Sequence, residues 1–233
     1  LSLEIRKEYK LISKRDALLN VHFPKSEELL AQAHRRLKFE EFFFIQLALL
    51  KMKRHKKQVN ISYPFTNIGE HFNEFYKKQL SFELTHAQKR VLKEIRMDVA
   101  SGKQMNRLIQ GDVGSGKTIV ALMVMLMAKD NDFQACLMAP TEILATQHFQ
   151  GLQEMVEAVG MKMDLLTGST KAARRREIHQ ALESGELDIL VGTHALLEDK
   201  VKYKNLGMAI IDEQHRFGVA QRSKMWKKNQ RPP

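Results

Sequence analysis

Cysteine is nearly absent from this chain of 233 residues, which has 1 Cys. A lone thiol excludes a disulfide framework and a cysteine-based metal cluster. Cys136 stands inside Ala135-Cys136-Leu137-Met138, an apolar strand-like run, and reads as a reduced core thiol rather than a ligand or nucleophile. No charged n-region followed by an apolar h-region opens the chain. The longest unbroken apolar run, Ile119–Ala128, is too short to span a bilayer. A cytosolic protein is therefore the expectation. Internal repeats and low-complexity segments are also lacking. Acidic residues are the minority, with 27 Asp+Glu against 38 Lys+Arg and a net charge of +11. That balance fits a polyanionic partner or plain solubility charge. A 43% hydrophobic content supplies enough apolar surface for a real core.

The charge is uneven: residues 1–80 carry +7 and residues 81–233 carry +4. The first segment reads as helical and holds no chemistry motif. Ser26-Glu27-Glu28 follows Pro24 and opens a long helical pattern with acids in its first turn. Phe42-Phe43-Phe44 makes that helix apolar around much of its girth, which predicts packing between other elements. Its end, Lys51–Lys57, holds five Lys/Arg in seven residues. That cluster either touches nucleic-acid phosphates or is a solvated helix terminus. Ile61–Ile68 reads as a linker.

What is present is concentrated after residue 80. Gly111-Asp112-Val113-Gly114-Ser115-Gly116-Lys117-Thr118 fits the phosphate-binding P-loop. Met105–Gln110 reads as a strand entering it and Ile119–Lys129 as a helix leaving it, the required setting. The glycines let backbone N–H groups turn toward phosphates, and the helix N-terminus adds partial positive charge. Lys117 is suited to the β- and γ-phosphates, and the Thr118 hydroxyl to Mg²⁺. Leu206–Ile211 reads as a strand buried on both faces and ends in Asp212 and Glu213. Asp212 is suited to hold Mg²⁺ through water, and Glu213 to polarise the attacking water.

From residue 81 strand and helix alternate: strands Gln134–Ala139, Lys162–Leu166, Leu187–Gly192 and Leu206–Ile211, with helices Ile143–Val159 and Lys171–Glu183 between the first three. This predicts an α/β fold, a RecA-like P-loop NTPase lobe with a parallel sheet and helices on both faces, preceded by a mainly helical segment. The domains expected are 1–80 and 81–233. Thr85 and Gln88 have the spacing of a capping box at the start of a helix Ala87–Val99; the sequence favours this cap over the alternative, Gln88 as a reader of adenine. Three loops after strands carry hydroxyl or small residues: Pro140-Thr141-Glu142, Thr167-Gly168-Ser169-Thr170 and Gly192-Thr193-His194. Each is placed to meet phosphate or to cap a helix.

These motifs resemble the RecG family, bacterial ATP-dependent DNA helicases of superfamily 2. The resemblance rests on GDVGSGKT (111–118), APTEILATQH (139–148), LTGS (166–169), VGTHALL (191–197) and IIDEQHRFGVAQR (210–222). It extends to HFPKSEELLAQAHRRLKFEEFF (22–43), similar to that family's helical connector after a DNA-binding wedge. It implies ATP and Mg²⁺ as cofactors and branched DNA, such as forks and Holliday junctions, as partner. Phe82, Leu84, Thr85 and Gln88 would contact adenine. Lys117, Thr118, Asp212 and Glu213 would form the hydrolytic site, and His215 would couple it to DNA and a second lobe. Thr141, Thr167, Gly168, Thr193 and His194 would face DNA, and Arg216-Phe217-Gly218 would continue the stretch after the acids. The family's wedge body and its second motor lobe, with an arginine finger, are expected to lie outside this chain. A transcription-repair coupling translocase, or a nucleotide-binding module without turnover, is the alternative.

Overall fold

The computed structural model describes residues 1–59, 62–225 and 228–229, and within them leaves the side chains of 53, 55–59 and 222 aside. Two compact units divide the chain, Leu1–Val59 and Asn60–Pro233. The division thus falls about twenty residues earlier than the expected boundary at 80/81.

The first unit is three helices, α1 (Leu3–Glu8), α2 (Lys14–His22) and α3 (Glu27–Val59). Serine hydroxyls at their starts accept backbone N–H groups that have no partner within the helix: Ser13 Oγ from Asp16 at 3.0 Å and Ser26 Oγ from Leu29 at 3.2 Å. α2 lies on α3 around Ala17 and Ala33, both fully buried. Arg36 is also buried, at 2% exposure. Its Nε donates to the Ile12 carbonyl at 3.1 Å, and its guanidinium pairs with Glu40. The hydrogen bond from Lys14, with that from Arg36, holds the Glu40 carboxyl below its ordinary range. The aromatic run does not pack between elements as expected: Phe42 is 65% and Phe44 49% exposed, and only Phe43 is half-buried. α2 covers a different stripe of α3, the one through Ala33 and Arg36. Of the basic cluster 51–57, Lys53 and His55–Lys57 lie outside the described side chains.

The second unit is built on four parallel strands, β1 (Gln134–Met138), β2 (Met163–Leu166), β3 (Ile189–Gly192) and β4 (Leu206–Ile211). Their order is β2-β3-β1-β4. The central strand β1 is buried at every residue: an apolar run follows Gln134, whose amide donates to the carbonyls of Leu182 (3.0 Å) and Leu187 (2.7 Å). Alternate side chains divide between two cores. Ala135, Leu137, Ile189 and Val191 face α5 (His86–Ala100), α6 (Lys117–Lys129) and α7 (Glu142–Glu157). Cys136, Met138, Leu166 and Leu190 face α8 (Ala172–Ser184), the 3₁₀ turn His194–Leu197 and α9 (Val219–Met225). Helices on both faces were expected, and the alternation explains them.

Met105–Gln110 does not join the sheet, so β4 is laddered on one side only among the described residues. Instead Met105 and Ile109 pack their side chains against the first core. Arg107 ties the segment to α5 through Asp98, at 2.9 and 2.7 Å, and Glu94.

Residues 62–80, expected to be linker and connector, belong to this unit. Asp130, at the C-terminus of α6, has a side chain 1% exposed. Its carboxylate accepts from the N–H groups of Gly69 (2.8 Å), His71 (3.0 Å) and Phe72 (3.2 Å), and contacts His71 Nδ1 at 2.9 Å. It is therefore the N-terminal cap of α4 (Glu70–Glu74), supplied from about sixty residues away. A Cβ at Gly69 would lie 2.8 Å from Asp130 Oδ1, so only glycine admits this approach. Asn67 and Asn131 exchange two further bonds, at 3.0 and 2.8 Å. One π-helical turn, Phe75–Gln79, follows α4 and buries Phe75 fully.

Candidate nucleotide site

α6 ends at the N-terminal edge of the sheet, since only Asp130–Phe133 separate it from β1. Its 13 residues span about 20 Å, so its N-terminus and the P-loop reach the opposite edge. Asp212 and Glu213 leave β4 at that same C-terminal edge, and α6 packs on both β1 and β4. The sequence elements thus share one rim, where open α/β sheets bind ligands.

Within the loop, Gly114 and Gly116 hold φ of +79° and +78°, the left-handed region that glycine enters at no steric cost. Gly116 caps α6 without a side-chain hydrogen bond, which leaves the first N–H groups of the helix directed at the loop. Residues 111–115 are exposed, with Val113 fully so, while Lys117 and Thr118 are half-buried. Lys117 Nζ donates to the carbonyls of Gly111 (2.7 Å) and Asp112 (2.8 Å), folding the ammonium over the loop.

Gln88 joins this loop to α5. Its Oε1 accepts from Thr85 N at 2.8 Å while Thr85 Oγ1 accepts from Gln88 N at 3.2 Å, a complete capping box. Its Nε2 donates to the Ser115 carbonyl at 2.9 Å. A Cβ at Gly116 would sit 2.4 Å from that same Nε2, so the glycine makes room for it. Of the two sequence readings of Gln88, the cap is the one seen, and the same side chain also touches the P-loop. Phe82 is 50% exposed nearby in sequence, whereas Leu84 is buried in the first core.

At the acid pair, Asp212 N donates to Met138 O at 2.8 Å, which continues the β1–β4 ladder by one bond. Glu213 turns into the left-handed region at φ +49°. That conformation costs a non-glycine residue roughly 1–2 kcal/mol, and it is held by the bond from Glu213 N to Asp212 Oδ1 at 2.9 Å. The other carboxylate oxygen, Oδ2, lies 2.8 Å from His148 Nε2 of α7. His215 Nδ1 is 3.4 Å from Glu213 Oε2, both exposed, and Phe217 enters the second core.

The three loops after β1, β2 and β3 gather along the same rim. Thr141 Oγ1 accepts from Leu144 N at 3.2 Å and caps α7. Glu142 reaches the next loop, accepting from Ser169 Oγ (2.7 Å) and Ser169 N (3.2 Å). The Ser169 hydroxyl, with the Ser169 and Gly168 backbone and the His194 ring, holds the Glu142 carboxyl below its ordinary range. Thr167 and Thr193 are buried, at 5% and 1%, whereas the sequence reading put them on an exposed edge; the Thr167 hydroxyl bonds within its own loop, to Ser169 Oγ at 3.0 Å. The Thr167 carbonyl accepts from Arg175 at 2.8 Å. Thr141, Gly168 and His194 are exposed. Glu142 and His148 were not singled out by sequence reasoning. His148 stands one turn after the fully buried Ala145, which placed it on the sheet-facing side of α7.

A parallel sheet with a P-loop and paired acids on its C-terminal rim defines a RecA-like P-loop lobe. The family model for DEAD/DEAH box helicases matches residues 85–231, and the chain belongs to that family. It is 49% identical over 229 residues to the ATP-dependent DNA helicase RecG of Synechocystis, covering 98% of this chain and 27% of that protein. It is 47% identical over 232 residues to RecG of Bacillus subtilis, covering 98% of this chain and 33% of the relative. A solved structure of RecG bound to a three-way DNA junction matches with a TM-score of 0.79 and 42% identity, over 94% of this chain and 30% of that one. The chain therefore spans about a third or less of the length of these relatives. None of the described helices is long and apolar enough to cross a membrane.

Proposed function

We propose that this chain supplies the nucleotide-binding lobe of an ATP-driven translocase that remodels branched DNA. The observation that carries this reading is the common rim, where the P-loop, Gln88 and the Asp212–Glu213 pair meet the loops after β1–β3. The likeness to a RecG structure bound to a three-way junction supports branched DNA as the substrate class.

The residues fit Mg-ATP. Two positive-φ glycines open the backbone N–H groups of a loop that runs into a helix N-terminus, the setting that favours phosphate. Lys117 would exchange the carbonyls of Gly111 and Asp112 for phosphate oxygens. Thr118 and Asp212 would hold the metal, whose chemistry when bound is to neutralise charge on the β- and γ-phosphates. Glu213 would orient and deprotonate the attacking water. Gln88 would report nucleotide occupancy of the loop to α5. Thr141, Gly168 and His194 would meet the DNA backbone, with Glu142 keeping two of their loops in register. A second lobe, supplied by a longer protein, would provide the further positive charge that phosphoryl transfer requires.

The test is Lys117→Ala in a protein of the relatives' length carrying this chain. Junction-stimulated ATP hydrolysis is expected to fall roughly 10²-fold or more, the scale for removing a charge that stabilises the transition state. Three-way-junction binding by gel shift is expected to persist. Equal loss of junction binding in the folded variant would contradict this division of labour.

A further inference from the structure

Asp212 is the metal carboxylate in the function proposed for this chain, and any role for a group that orients it rests on that reading. Both of its oxygens are engaged by the protein, and they are engaged from different directions. Oδ1 takes the N–H of Glu213 at 2.9 Å, a bond from the next residue. Oδ2 lies 2.8 Å from His148 Nε2, a group 64 residues earlier on another element. An ionised carboxylate only accepts, so Nε2 carries the hydrogen and donates it.

We propose that His148 is a positioning residue that sets the plane of the Asp212 carboxylate for metal binding. A carboxylate at a strand end turns about two single bonds. One hydrogen bond at Oδ1 leaves it swivelling about that contact, and a second at Oδ2 fixes the plane. Each oxygen keeps a further lone pair for the metal's water shell. His148 is itself held: its side chain is 18% exposed, and Ala145, one turn earlier on α7, is fully buried under the sheet. The imidazole therefore arrives from a fixed backbone. The ordering of the carboxylate is completed at folding, so metal binding does not have to supply it. Groups that orient a metal's ligands in this way typically change metal affinity by about 10- to 100-fold when removed.

The side-chain geometry provides its own control. The amide nitrogen of glutamine sits as many bonds from Cβ as Nε2 does, and that of asparagine falls one short. His148→Gln is thus expected to keep the donor in place, while His148→Asn and His148→Ala lose it. The measurement is binding of a fluorescent ADP analogue to the 233-residue chain, in Mg²⁺ and in EDTA, with binding of Mn²⁺ followed by its paramagnetic resonance signal and melting temperature as a check on folding. Wild type is expected to bind nucleotide more tightly in Mg²⁺ than in EDTA. His148→Ala and His148→Asn should weaken the Mg²⁺-dependent part and the Mn²⁺ affinity by roughly 10-fold or more, with affinity in EDTA unchanged. His148→Gln should return both to within about 3-fold of wild type. Unchanged metal dependence in His148→Ala, or a glutamine variant no better than alanine, overturns the positioning role alone. An equal loss in EDTA overturns it too, because a packing defect would not distinguish the metal. Nucleotide affinity in wild type that is absent, or indifferent to metal, overturns the site reading and this inference together.

Discussion

Gln88 makes its bonds in two directions at once, and substitutions can separate them. Glutamate at this position keeps an oxygen for Thr85 N but brings no hydrogen to the Ser115 carbonyl. Gln88→Glu is therefore expected to keep the Thr85 cap but set a carboxylate oxygen against the Ser115 carbonyl, and to weaken nucleotide binding by at least the roughly 3- to 10-fold that one lost neutral hydrogen bond costs. Gln88→Ala loses both, and should cost on the order of 1 kcal/mol of stability in addition. Thermal unfolding together with nucleotide titration checks this, and an alanine variant with unaltered nucleotide affinity would remove Gln88 from the site. The contrast with His148 shows what a sequence reveals about a site. The P-loop and Asp212–Glu213 were legible because phosphate and metal chemistry demand fixed residue types at fixed spacing. Gln88 was legible in part: its spacing announced the capping box, while its bond to the Ser115 carbonyl of the P-loop has no local signature. His148 was not, since a histidine within a helix has no local signature and its partner lies 64 residues away. The burial of Thr167 and Thr193 was not legible, because a hydroxyl residue after a strand has the same sequence signature whether it is exposed or covered.

Elements built on continuous apolar runs were the easiest to read: β4 spans Leu206–Ile211, as expected, and β1 ends one residue short of its expected bound. Apolar runs fit best in a sheet covered on both faces, although β4, at the sheet's end, is fully buried only over Leu206–Met208 and half-buried beyond it, short of the burial expected. Met105–Gln110 failed because its mixed polarity is resolved by Arg107 pairing with α5 and not by a ladder. The unit boundary was missed for a similar reason. The segment 62–73 has no periodicity of its own, and what fastens it is distant in sequence: the Asp130 carboxylate, Asn131, and the carbonyls of Val99 and Gly102. Asp130→Ala would leave the N–H groups of Gly69, His71 and Phe72 without that acceptor. It is expected to destabilise by roughly 3 kcal/mol, as the loss of a buried charged acceptor does. Chemical denaturation measures that figure, and limited proteolysis should show new cleavage in 62–72. Unchanged protection of those residues would mean that the apolar contacts of Phe65 and Phe75 suffice to hold them.

At the scale of the whole molecule, the sheet separates two cores, and the chain's one thiol points from the central strand into the second of them. Cys136 is fully buried, contacts Met225 Sδ at 3.7 Å, and burial pushes its thiol up to about 12. The unfolded thiol ionises near its ordinary 9.0, so the native state holds the proton to higher pH. This contribution to stability is present below pH 9.0 and declines as pH rises toward about 12. The same burial gives the molecule a built-in clock. Only a thiolate reacts with a disulfide reagent, and it forms here only when β1 is laid open. At pH 8 the labelling rate should therefore follow the opening of the central strand, and it should match the exchange of the amides of β1 with deuterium. Rapid labelling of the native chain would show that the second core breathes on its own. Slow labelling that quickens with denaturant in step with global unfolding would show that both cores open as one, and would turn a residue with no part in the chemistry into a gauge of whether ligands at the rim tighten the sheet beneath them.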